Sequence, residues 1–134
     1  MKCISTNCSN KFDDRIVNSA EERFLIKIRE DVIDFIRLNN GGYPTRDIIS
    51  VDGEEYEVRA FFSLNEEDEY FNIKKPLMYF LDKTKGKIIP IGIDSGDNYY
   101  CVNNENGKVY YWRASEDMYY CIADSLSDFI TLFE

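Results

Sequence analysis

The feature that most limits how this chain can fold is a change of hydrophobic period partway along it. Up to residue 44 the apolar side chains recur at helical spacing, from residue 47 onward they alternate or gather in short runs, and the last ten residues return to helical spacing. Ile16, Ala20 and Phe24 stand four residues apart behind Asp13 and Asp14, whose carboxylates suit a helix start. A second helix is expected from the acidic pair Glu30 and Asp31, with Val32, Phe35, Ile36 and Leu38 on or near one face. It should stop at Asn39-Asn40-Gly41-Gly42, ahead of Pro44. Between the two, Leu25-Ile26-Lys27-Ile28 alternates and carries β-branched residues, which favours a break. Ser19 and Glu22 would instead form a capping box for one longer helix.

Beyond residue 47 the signals are those of strands. Ile48 to Val51, the Asp52-Gly53 turn and Tyr56 to Phe62 predict a hairpin. An acidic loop follows at 66 to 69, then a short helix within Asn72 to Asp82 with Pro76 in its first turn. Ile88 to Ile93, Asn98 to Asn103 and Lys108 to Arg113 predict an antiparallel meander, separated by Asp94-Ser95-Gly96-Asp97 and Asn104-Glu105-Asn106-Gly107. Tyr119 to Ala123 adds a further short strand. Asp124 or Ser125 then caps a final helix that buries Leu126, Phe129, Ile130 and Phe133. The fold class is therefore α+β: a single domain with a mainly antiparallel sheet of about five to six strands, helices on one face and the other face partly wet. Residues 1–11, polar and without period, are expected to be a flexible N-terminus, and 12–134 the domain.

A chain of 134 residues with 44% hydrophobic content and twenty aromatic residues has enough apolar surface for one core and is unlike a disordered acidic tail. Its formal net charge of −9 disfavours nucleic acid and anionic membranes, both of which select clustered Lys and Arg. Acidity is equally explained by solubility alone. Met1 to Cys8 develops no apolar run, and no stretch approaches the roughly 18 apolar residues of a membrane span, so a cytoplasmic location is expected.

The absence of histidine removes Ser-His-Asp and Cys-His mechanisms and the commonest metal ligand. Asn40-Gly41-Gly42-Tyr43-Pro44 follows a helix instead of leading from a strand into one, so it is no phosphate loop. Asp94-Ser95-Gly96-Asp97-Asn98 with Glu105 has a faint likeness to a calcium loop. It fails because Gly96, Asn98 and Tyr99 occupy the third, fifth and sixth positions. Cys3, Cys8, Cys101 and Cys121 lack the paired Cys-x-x-Cys spacing of zinc sites and read as free thiols, with Cys101 and Cys121 as small core residues. No catalytic, cofactor-binding or metal-ligating residue is assigned, and no cofactor is expected. A pair of carboxylates acting as a hydrolase is the enzymatic alternative, since such a pair is defined by its separation in space.

Charge distribution is more informative. Residues 47 to 69 hold nine acids against Arg59 alone, which places almost the whole net charge in one segment. Lys74, Lys75, Lys83, Lys85 and Lys87 follow, against Asp82. The candidate partner-binding residues are Asp52, Glu54, Glu55, Glu57, Glu66, Glu67, Asp68 and Glu69, joined by Asp94 and Asp97 in the later turn. They read either as a solvated face or as an electrostatic docking edge for a basic protein.

Three stretches, in order and at matching spacing, resemble the SUKH superfamily, which includes yeast cell-wall-assembly regulators and many bacterial immunity proteins. They are Asp34 to Pro44, Ile89 to Val102 and Ile122 to Phe129, and the likeness runs from about Ile16 to Phe133. The chain departs from the pattern at Arg29, where proline is common, and at Ser95-Gly96, where two glycines are common. The resemblance implies a non-enzymatic domain that binds a cognate toxin, often a basic nuclease; its own oligomeric state, monomer or weak dimer, is left open. An intracellular regulatory or scaffold domain is the other reading it allows.

Overall fold

The computed structural model describes residues 1–8 and 12–134. Helix α1 (Asp14–Phe24) starts where the Asp13 carboxylate accepts the N–H groups of Arg15 and Ile16, at 2.9 and 3.2 Å. It stops at Leu25, whose left-handed conformation (φ 55°) turns the chain out of the helix. Ile26 to Arg29 belong to no regular element, Ile28 enters the core, and α2 (Glu30–Asn39) begins on the acidic pair expected to open it. The two-helix reading holds, and Val32, Phe35 and Ile36 form the buried face of α2.

The described residues form three sheets. Ser5–Thr6 (β1) pairs with Tyr43–Pro44 (β2), and Ile48–Val51 (β3) pairs with Glu54–Glu57 (β4) across a turn in which Asp52 and Gly53 both have positive φ, the geometry that matches strand twist. The main sheet is a five-stranded antiparallel meander of Ala60–Phe61 (β5), Ile88–Ile93 (β6), Tyr99–Asn103 (β7), Val109–Arg113 (β8) and Met118–Ala123 (β9), in that spatial order. Helix α3 (Lys74–Thr84), with Pro76 in its first turn, lies between β5 and β6 in sequence. Helix α4 (Leu126–Thr131) closes the chain behind the Ser125 cap, whose hydroxyl accepts the Asp128 N–H at 3.0 Å.

The sheet is covered on both faces. Tyr100, Val102 and Tyr111 point toward α2 and α4, where Phe35, Phe61, Phe129 and Phe133 interlock at ring separations of 5.1 to 6.1 Å. The alternate residues Cys101 and Trp112 point the other way and pack with Ile88 under Phe80 of α3, while Tyr99 stacks on Trp112 at 5.6 Å. Helix α3 thus dries the face expected to be partly wet, over the middle of the sheet.

Two further expectations are corrected. The run Tyr56 to Phe62 is not one strand, because the chain changes sheets at Val58 and Arg59. The Val58 N–H donates to the Asp47 carbonyl at 2.7 Å and the Arg59 N–H to the Ile93 carbonyl at 2.8 Å. Ala60, Phe61 and Phe62 are all buried, which a half-solvated hairpin strand could not achieve. A Cβ on Gly92 would come within 3.1 Å of the Ala60 carbonyl oxygen, so the bare glycine admits β5 to the sheet. Cys121 is exposed instead of buried, since it lies on the edge strand β9 beyond the cover that α3 gives Cys101. Near the N-terminus, Ile4 is buried and Ser5–Thr6 is paired, because Asn39 draws that segment in: its Oδ1 accepts the Ile4 N–H at 3.0 Å and the Ser5 hydroxyl at 2.7 Å. Of residues 1–11, expected to form a flexible N-terminus, 9–11 lie outside the described residues.

Candidate protein-binding surface

The ten candidate acids divide by what their carboxylates touch. In the β3–β4 ribbon, Ile49 and Tyr56 face inward, and the Tyr56 ring meets Tyr111 at 5.2 Å, anchoring the ribbon to the main sheet. This leaves Asp52, Glu54 and Glu55 exposed at and behind the tip. Like charges this close repel unless solvent or a cationic partner screens them, so the tip is an outward-facing negative site.

Glu57, in the same ribbon, is used differently. It is half-buried and accepts the Ser95 N–H at 2.7 Å and the Ser95 hydroxyl at 2.5 Å, tying the ribbon to the β6–β7 turn. Asp94 is buried, and its carboxylate accepts from the Gly96 and Asn98 N–H groups at 2.9 and 2.8 Å, the Asn98 side-chain amide at 3.1 Å and the Tyr111 hydroxyl at 2.6 Å. Asp94 thus holds the turn from inside, while Asp97, at φ 63°, is the exposed acid of that turn. Burial raises the Tyr111 phenol well above its ordinary value, and the adjacent Asp94 carboxylate adds to the shift, so the hydroxyl stays a donor. The Tyr100 hydroxyl, raised first by burial and then by Tyr111 and Asp94, donates to the Glu57 carbonyl at 2.7 Å.

The second group, Glu66 to Glu69, lies against α1 and the start of α3. Glu66 forms an ion pair with Arg23 of α1. Asp68, half-buried, accepts the Ser63 hydroxyl. The loop is pinned by Asn40, which is fully buried, donates to Asn65 Oδ1 at 2.9 Å and accepts the Leu64 N–H at 2.8 Å. Asn72 adds bonds to the carbonyls of Asn65 and Asp68 at 2.9 and 3.1 Å. Glu67 lines a cleft of about 420 Å³ beside α1, with Arg15 and Arg23 on the facing helix. The structure thus joins the ribbon to the β6–β7 turn through Glu57 and Ser95, and gives the acidic loop other neighbours.

One surface feature escaped the sequence reading. A groove of about 780 Å³ runs between the acidic loop and the start of α3, with Phe62, Phe71, Ile93 and Tyr99 inside and Glu66, Glu69, Lys74 and Lys75 at its rim. Tyr70, beside it in sequence, is 76% exposed. The available signal was the pair Tyr70-Phe71 directly after four acids, apolar residues that belong to no helical or strand period.

The model of the SMI1 / KNR4 family (SUKH-1) matches residues 11–132. Among solved structures, the crystal structure of a protein from Pseudomonas syringae pv. tomato is similar, with a TM-score of 0.60 over 94% of this chain and 84% of that one. Its identity is 17%, so the likeness is one of fold. No curated protein matches the chain.

Proposed function

From the premise that this chain belongs to the SMI1 / KNR4 family (SUKH-1), we propose that it is a non-enzymatic immunity protein that binds and neutralises a cognate toxin. The observation that favours a basic, nuclease-type toxin is the β3–β4 ribbon: Asp52, Glu54 and Glu55 are solvent-facing on a rigid two-stranded support docked through Tyr56. A nuclease must attract phosphate and so carries a positive cleft. An acidic ribbon is drawn to that cleft over a Debye length of about 8 Å and blocks it without imitating a base. Asp97 is a further exposed acid, in the turn that the ribbon is tied to, whereas Glu57 and Asp94 hold the ribbon and turn together. Glu66, Glu67 and Glu69 form a secondary contact region in this reading.

The domain acts in the cytoplasm in this proposal; among the described residues no helix is long and apolar enough to cross a membrane. The test is expression of the polypeptide encoded by the adjacent gene, alone and together with this chain. Growth arrest relieved by co-expression, with a stoichiometric complex on size-exclusion chromatography, is the expected result. A neighbour that neither binds nor is neutralised would overturn the proposal.

A further inference from the structure

Cys101 is buried in the smaller core and Cys121 stands on the edge strand, but the fold brings Cys3 and Cys8 to one place. Cys3 Sγ lies 3.2 Å from the Leu38 carbonyl oxygen near the end of α2, and Cys8 Sγ lies 3.5 Å from the same oxygen. The Ser5 hydroxyl oxygen is 3.0 Å from Cys8 Sγ and 3.9 Å from Cys3 Sγ. Two sulfurs that share both a carbonyl and a hydroxyl at these reaches stand side by side. Their segment is held from beneath by Asn39, fully buried, which receives Ile4 and Ser5 and donates to the Phe35 carbonyl at 3.1 Å. Gly42 completes the seat. A Cβ there would lie 2.8 Å from both Cys8 Sγ and Ser5 Oγ, so the missing side chain is what lets the sulfur settle on the turn.

We propose that Cys3 and Cys8 are a modification site: a dithiol held ready by the fold to close into an intramolecular disulfide, with a soluble disulfide of the glutathione class as oxidant. The exposed Cys3 thiolate attacks one sulfur of the oxidant, whose S–S bond breaks; a glutathione thiolate leaves and Cys3 carries the mixed disulfide. Cys8, its proton lost to water, then attacks Cys3 Sγ, forms the Cys3–Cys8 bond and expels the second glutathione thiolate. Two electrons pass from the two protein thiols to the oxidant, and the two expelled thiolates take up two protons. Burial raises the Cys8 thiol above its ordinary value, partly offset by the Ser5 hydroxyl, so the second step quickens as pH rises. Closure links the two ends of the segment that contains β1, and so fastens it over the α2–β2 turn.

The test equilibrates the full chain in glutathione buffers of stepped oxidised-to-reduced ratio, traps free thiols by alkylation and maps peptides by mass. The expected product, in the peptide that carries Cys3 and Cys8, is their disulfide, two hydrogens lighter, with no glutathione retained on either cysteine. It should form at a ratio about tenfold more reducing in the folded chain than in the same chain in urea, a difference of about 30 mV for this two-electron couple. Cys8→Ser, checked for folding by circular dichroism, should stop at a glutathione adduct on Cys3. Equal midpoints with and without urea would overturn the proposal, as would a stable adduct on Cys3 with Cys8 still open to alkylation in the unaltered protein.

Discussion

Replacing Tyr111 with Phe removes one oxygen whose whole environment is known. The hydroxyl donates to Asp94 at 2.6 Å with both residues buried, and water cannot take over as donor to that carboxylate without opening the β6–β7 turn. A buried hydrogen bond to a carboxylate is worth about 1.5–3 kcal/mol. The ring keeps its packing against Tyr56 and Tyr100, at 5.2 Å each, so little apolar burial is lost with the hydroxyl. At about 2.1 cal/mol/K per residue, the unfolding entropy of a chain this long makes that loss a fall of roughly 5–10 °C in Tm. Asp94→Ala should cost about 3 kcal/mol or more, because it also strands the Gly96 and Asn98 N–H groups. Urea unfolding followed by Trp112 fluorescence on both single variants and the double variant gives the coupling energy, expected at about 1.5–3 kcal/mol. Additivity within about 0.5 kcal/mol would refute the reasoning, since the two groups would then contribute independently.

Charge reversal at Asp52, Glu54 and Glu55 should slow association with a basic partner about tenfold at low salt and flatten its salt dependence, leaving dissociation nearly unchanged. Stopped-flow kinetics would count against the ribbon if reversing Glu22, exposed on α1, slowed association as much. Leu25 is 90% exposed at φ 55°, so Leu25→Gly should raise stability by about 0.5–1 kcal/mol in urea unfolding, and a loss would contradict the strain assigned to it. The Tyr119 phenol is pushed up to about 12, first by burial and then by its neighbours Cys101 and Tyr79. Its folded value lies above the ordinary value near 10 of the unfolded chain, so its contribution is complete below about 10 and disappears as pH rises through about 12. Spectrophotometric titration should accordingly show one tyrosine ionising near 12 that is missing in Tyr119→Phe, while the more strongly raised Tyr100 and Tyr111 are unaffected.

Much of the architecture was legible because its causes are local. Asp13 and Ser125 are short polar residues ahead of amphipathic runs, and each caps the helix expected of it. Asp52-Gly53 makes its turn through positive φ at both positions, and the meander from Ile88 to Ala123 follows the alternation of its side chains. The acids of the ribbon were found by counting charge along the chain. The different task of Glu57 was hidden, because its partner Ser95 is 38 residues away. The same holds for the N-terminal segment: polar and without period, it gains its order from Asn39, at a sequence separation of 34 to 35. Cys101 and Cys121 have similar aromatic neighbours in sequence, and only the placement of α3 over the inner strands separates a buried thiol from an exposed one.

By itself, then, the sequence determined the order of elements, their caps and turns, the family resemblance and the stretch of chain where negative charge accumulates. Each of these depends on residues within a few positions of one another. Tertiary structure alone decided which acids face solvent and which are consumed as acceptors, because that depends on which strands and turns come together. Asp52, Glu54 and Glu55 stay exposed where the ribbon tip meets water. Asp94 turns inward because Tyr111 and two backbone N–H groups converge on it, and a buried carboxylate is stable only where such donors meet it.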